Sequence, residues 1–141
     1  MTNNSAHAAL VLRIALGTMF LAHGLLKVLV FTLPGTVGFF ESVGFPGWTA
    51  YIVTFAEIGG GVLLLAGVAT RAVAVALLPT LLGATYVHLG NGWVFSNANG
   101  GWEYPAFLTV ALVVQALLGA GSFALRLPQV GGDARQTTAA V

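Results

Sequence analysis

The stretch WTAYIVTFAEIGGGVLLLAGVATRAVAVALLPTLLGATYVHLG, residues 48–90, decides the fold. Barrel strands alternate apolar and polar side chains over about ten residues. Here Gly61-Val62-Leu63-Leu64-Leu65-Ala66 and Ala74-Val75-Ala76-Leu77-Leu78 stay apolar without alternating. Each half is close to the ~20 residues an α-helix needs to cross a ~30 Å hydrocarbon layer. One charge, Glu57, interrupts the first half. Ala69-Thr70-Arg71 separates the halves, a connection short enough for a tight antiparallel hairpin.

Segments of the same character flank this pair, giving four expected spans at about 8–30, 48–68, 72–90 and 104–124. The expected architecture is an all-α, integral-membrane four-helix bundle with short loops. Pro34-Gly35 and Gly44-Phe45-Pro46-Gly47 punctuate the first connection, and Asn91-Gly92 with Asn97-Ala98-Asn99-Gly100-Gly101 the third. Within the first connection, Thr36–Ser42 reads as a short interfacial helix with Phe39 and Phe40 in the headgroup layer. Residues 1–127 form one membrane domain; after Leu127-Pro128 the chain turns polar, and 128–141 reads as a disordered cytoplasmic tail.

Composition agrees. Of 141 residues 57% are hydrophobic and 6% charged, against about 25% charged in an ordinary soluble domain. The net charge of +1 offers no basic patch for nucleic acid. With no cysteine, disulfides, thiolate catalysis, Fe–S clusters and Cys-based zinc sites are excluded in this chain. The first span reads as a retained helix rather than a cleaved leader, because Arg13 lies inside the apolar run and His23 and Lys27 follow it.

Four spans place the N-terminus, the second connection and the C-terminus on one side of the bilayer. That side receives Arg13, Arg71, Arg126 and Arg135, and the other Lys27 alone among the basic residues. The asymmetry puts both termini in the cytoplasm. The Asn3-Asn4-Ser5 sequon then faces the cytoplasm and reads as chance, while Trp93, Phe95, Trp102 and Tyr104 form an outward aromatic belt.

A charge at the centre of a span costs about 2.5–3.5 kcal/mol, while one Leu returns about 0.3–0.6, so the intramembrane charges need a reason. At 1.5 Å per residue, Glu57 lies roughly 13 Å below the outer surface and His23 roughly 10 Å, with Lys27 one turn above His23 on the same face. Lys27 either snorkels to the interface or bends towards Glu57. His88 and Glu103 stand at the top of this column. The expected site is an outward-opening polar pocket of His23, Lys27, Glu57, His88 and Glu103, roofed by Trp102 and Tyr104. Catalytic candidates are His23, Glu57 and Lys27.

Two readings of that column stand together. One is a site for a polar head group such as a quinone ring, or a step for protons. The other is a network that locks the helices in register. Arg13 and Arg71 read as structural and topological charges, Gln115 as an interhelical hydrogen-bonding residue, and Pro79 as a kink. Arg13, Gly17, Phe20, Gly24 and Lys27 share one stripe, and its glycines, like Gly59-Gly60-Gly61, allow close helix approach. His23 and His88 differ by several residues in depth, against a bis-His haem. No convergent set suggests a metal, and Gly59-Gly60-Gly61 opens no phosphate loop.

The series Arg13-Ile-Ala-Leu-Gly17, His23-Gly24-Leu-Leu-Lys27, Gly44-Phe-Pro46, Glu57-Ile-Gly-Gly-Gly61, Leu65-Ala-Gly67-Val-Ala-Thr70-Arg71, His88 and Gly100-Gly101-Trp102-Glu103-Tyr104-Pro105 resembles the DoxX family of small bacterial membrane proteins over about residues 8–125. The resemblance implies a four-helix protein of the bacterial inner membrane. It also implies links to redox roles: subunits of a thiosulfate:quinone oxidoreductase, and a partner in a membrane oxidoreductase complex that protects against oxidative stress. The matching polar residues are Arg13, His23, Lys27, Glu57, Arg71, His88 and Glu103. The expected function is therefore a redox-associated membrane subunit binding a quinone or a similar lipid-soluble molecule in the outer half, with no intrinsic cofactor. Its expected partners are the lipid bilayer, an oxidoreductase protein and further copies of itself. The alternatives are a non-catalytic anchor or assembly partner of an oxidoreductase complex, and a small transporter or proton pathway. Four helices without an inverted repeat are few for the latter.

Overall fold

A computed structural model describes residues 3–125. Five α-helices follow one another: α1 (Asn3–Leu29), α2 (Leu33–Ser42), α3 (Trp48–Ala66), α4 (Thr70–His88) and α5 (Glu103–Leu118), with a 3-10 turn at Leu89–Asn91. No strand occurs among the described residues. The expected tail, with Arg126 and Arg135, lies outside them.

Three helices, α1, α3 and α4, are long and apolar enough to cross a membrane, and α5 is a shorter apolar helix. Two boundaries differ from those read in the sequence. α1 begins at Asn3 rather than near residue 8. α5 stops at Leu118, not near 124, because Gly119 adopts φ 81° and Gln115 folds back on it. The Gln115 Nε2 donates to the Gly119 carbonyl at 2.7 Å, so this side chain closes its own helix instead of bridging to a neighbour. Residues 119–125 then run under the bundle. The Ser122 N–H donates to the Ala6 carbonyl and that of Leu125 to the Ala66 carbonyl, both at 3.1 Å.

α1 packs on α3 and α5, and α4 packs on the same two helices. Glycine sets the α1–α3 distance. A Cβ at Gly61 would stand 2.6 Å from the Leu21 backbone nitrogen, and one at Gly24 2.6 Å from the Ile58 side chain. Real carbon atoms do not approach so closely, so the two backbones touch only because these side chains are absent. Gly60 receives Leu77 from α4 in the same manner. The core then fills with Leu16, Phe20, Leu64, Ala74, Leu77, Leu81 and Leu112. Outward faces are apolar too: Ile52, Phe55, Phe107 and Leu117 are all exposed, as lipid-facing positions should be.

α2 covers the end of the bundle at which α1 finishes and α3 begins. Pro34 stands in its first turn, where a missing N–H costs nothing. The Thr32 hydroxyl accepts from the Gly35 N–H at 3.3 Å. Thr36, buried, donates to the Lys27 and Thr32 carbonyls at 3.1 and 2.9 Å, tying this cover to the last turn of α1. α4 runs unbroken through Pro79, whose ring faces a cavity.

Candidate functional site

That cavity measures about 390 Å³ and takes walls from α1, α2, α3, α4 and α5. It lies in the half of the helices remote from the N-terminus, between the second half of α1 and the beginning of α5. Phe39 and Phe40 of α2, with Val43 and Phe45 after it, close one side, and Pro79, Ala84 and Val87 of α4 another. Such walls hold an apolar ring well. Phe40 contacts Phe45, which stands edge-on to Tyr86, so the cover is a connected set of aromatic rings.

Three ionisable side chains enter this apolar space from α1 and α3. The Lys27 Nζ donates to the Glu57 Oε2 at 2.6 Å, with 17% and 8% of the two side chains exposed. Lys27 therefore bends inward instead of snorkelling. Glu57 sits two positions before the glycine run, and the close α1–α3 approach brings its carboxylate within reach of the lysine. One helical turn along α1, His23 lines the same cavity. Its Nδ1 lies 2.7 Å from the Met19 carbonyl, and its ring stacks on Tyr104 with centroids 6.3 Å apart. The Tyr104 hydroxyl donates to the Met19 Sδ at 3.8 Å. Glu57 thus pairs with Lys27, and His23 is oriented by its own helix.

The remaining expected site residues divide. His88 lines the cavity, with its Nδ1 3.1 Å from the Gly100 carbonyl. Trp102 and Glu103 are not in the wall. Trp102 packs edge-on against Trp93 with centroids 4.5 Å apart. Glu103 accepts from the Phe95 N–H at 2.9 Å. Both hold the loop between α4 and α5. Met19, Phe45, Pro79 and Thr80, which also line the cavity, have no signal in the sequence beyond apolar or small character.

The two arginines act elsewhere. Arg13, 1% exposed, reaches beneath the bundle, where its guanidinium donates to the carbonyls of Ala120, Ser122 and Phe123 at 2.9, 3.4 and 3.3 Å. Gly67 leaves the room for it, since a Cβ there would collide with the guanidinium. Arg71 lies over Gly119 and donates to the Leu117 carbonyl at 3.5 Å. Both cations meet the carbonyl end of α5, where a helix dipole welcomes positive charge. Among the described residues, no three His, Asp or Glu side chains converge to hold a metal ion.

The family model DoxX matches residues 8–90. A protein of Bacillus subtilis (strain 168) named "Putative oxidoreductase CatD" is 36% identical over 116 residues, covering 82% of each chain. No solved structure matches.

Proposed function

The chain belongs to the DoxX family, and from that premise we propose that it is a redox-associated membrane protein whose cavity holds the ring of a quinone or a similar lipid-soluble molecule. The observation that carries this reading is the Lys27–Glu57 pair, at 2.6 Å, inside a cavity otherwise walled by aromatic and aliphatic side chains. An apolar ring finds its contact area in Phe40, Phe45, Tyr104 and Leu108, and its oxygen substituents find His23 and Lys27. Lys27 stabilises negative charge that develops on a ring oxygen. His23 and Glu57 exchange the accompanying protons. Electrons come from a partner oxidoreductase or from the substrate, and the similarity to a protein described as an oxidoreductase supports that assignment.

In this reading the long helices and α5 form a four-helix bundle in the bacterial inner membrane, with both termini cytoplasmic. At 1.5 Å per residue α5 covers about 24 Å. The aromatic loop before it and residues 119–125 after it complete the crossing.

Purification with native lipid tests the proposal. Mass spectrometry of the extract should find an isoprenoid quinone retained by the wild type and lost from Glu57→Gln. A protein that retains no quinone and binds none when it is added, together with unchanged quinone-linked activity in Glu57→Gln membranes, would overturn it. The bridge between α1 and α3 also supports a second reading, a non-catalytic anchor in which the pair only fixes the helices. That reading requires a charge-free, well-packed double replacement to restore function.

A further inference from the structure

His23 and Lys27 present different hydrogen-bonding partners to the cavity, and the difference selects among its possible occupants. A carbonyl oxygen only accepts, so the His23 Nδ1, 2.7 Å from the Met19 carbonyl, carries the hydrogen. In a neutral imidazole the other nitrogen, Nε2, then presents a lone pair and accepts. The carboxylate beside it is already paired: Lys27 holds Glu57 at 2.6 Å. Among the described residues no donor satisfies Nε2. The hydroxyl of Tyr104, the ring stacked on His23, is turned to the Met19 sulfur at 3.8 Å. Lys27 has the opposite character, with three N–H groups and no acceptor, one of them spent on Glu57.

We infer that the cavity selects a hydroxyl-bearing ring, a phenol or quinol, over the corresponding ether or dione. A hydroxyl donates to the His23 Nε2 while its oxygen accepts from Lys27. A ketone oxygen serves Lys27 alone and leaves the imidazole lone pair without a partner after water has been displaced, an unmade bond that costs affinity. The inference rests on the cavity being a ring-binding site and adds which redox form it holds more tightly.

The test uses full-length protein in lipid nanodiscs, with binding read by tryptophan fluorescence. The probes are para-octylphenol against its methyl ether para-octylanisole, and decyl-ubiquinol against decyl-ubiquinone under anaerobic conditions. One hydrogen bond corresponds to a preference of about three- to tenfold for the hydroxylated member of each pair. His23→Phe keeps a ring to stack on Tyr104 but removes Nε2, and should bring both ratios close to one while the probes still bind. Equal or tighter binding of the ether and the dione to the wild type overturns the inference and leaves ring binding intact. Persistence of the preference in His23→Phe overturns it as well. Binding of none of the four probes removes the ring site itself and the inference with it. The wild-type comparison stands even where the variant does not fold.

Discussion

Lys27 on α1 and Glu57 on α3 meet at 2.6 Å across the interface that glycines hold closest. The pair joins residues thirty apart in the chain, and both side chains are largely withdrawn from solvent. Attraction between buried charges is offset by the cost of removing them from water, so its removal from one side matters more than its presence.

Glu57→Gln and Lys27→Met should each destabilise the protein, by on the order of 3 kcal/mol, because each leaves one charge buried without a partner. The double variant should recover most of that loss, since no unpaired charge remains. Thermal unfolding in detergent followed by tryptophan fluorescence measures all three. Strictly additive losses would show that the two groups act independently.

Arg13→Lys separates two roles that the sequence alone runs together. A lysine keeps the positive charge that orients the first helix, but it cannot form the planar fork by which Arg13 reaches the carbonyls of Ala120, Ser122 and Phe123. The expected result is unchanged topology with stability lowered by roughly 2 kcal/mol, the scale of a lost buried, charge-assisted hydrogen bond. Reporter fusions read the topology and melting reads the stability. A variant as stable as the wild type would reduce Arg13 to a topological charge.

Gly59 and Gly61, two positions apart on α3, should respond in opposite directions to alanine. Nothing lies within 4 Å of a Cβ at Gly59, while one at Gly61 meets the Leu21 backbone nitrogen at 2.6 Å. Gly59→Ala therefore gains up to about 1 kcal/mol of helix propensity. Gly61→Ala must push α1 away from α3, losing the packing around it, with a cost typical of overpacking of about 1–3 kcal/mol. Comparable melting temperatures for the two variants would contradict the interface described.

The positions of α3 and α4 were legible because long apolar runs with one charge and a three-residue break admit few other folds. The early end of α5 was not. Gly119 looks like any intramembrane glycine, such as Gly60, until its backbone conformation is known. The site divides in a similar way. Depth arithmetic set Glu57 level with His23 and left Lys27 to snorkel or to bend inward, because height along a helix follows from counting residues; the structure pairs Glu57 with Lys27. Counting carries no information about rotation around the helix axis, and so it put Trp102 and Glu103 over the pocket although they face the loop. That Phe39 and Phe40 also line the cavity is hidden for a related reason: an aromatic side chain on a short helix reads the same whether it meets lipid or closes a cavity.

Membrane orientation has a clean test because the chain contains no cysteine. Ser96→Cys, exposed in the loop between α4 and α5, should react with a membrane-impermeant maleimide in intact spheroplasts. Ala72→Cys, exposed in the first turn of α4, should react only after the membrane is opened. The reverse pattern would invert the topology that the arginines imply.

Phe45 offers a way to test the aromatic cover without disturbing any charge. It lines the cavity and touches both Phe40 and Tyr86, with ring centroids 6.2 and 6.5 Å away. Since it follows α2 rather than belonging to a long helix, its truncation leaves the interfaces of α1, α3, α4 and α5 in place. Phe45→Ala removes ring contacts worth about 0.5–1.5 kcal/mol, so Kd for a ring-bearing probe such as decyl-ubiquinone should rise about two- to twelvefold. The Lys27–Glu57 pair contributes polar contacts that this change does not touch, so binding should weaken without vanishing, and most of the change should be in the dissociation rate. Stopped-flow quenching of tryptophan fluorescence resolves the two rates. An unchanged dissociation rate would mean that the ring enters and leaves by a route that Phe45 does not cover.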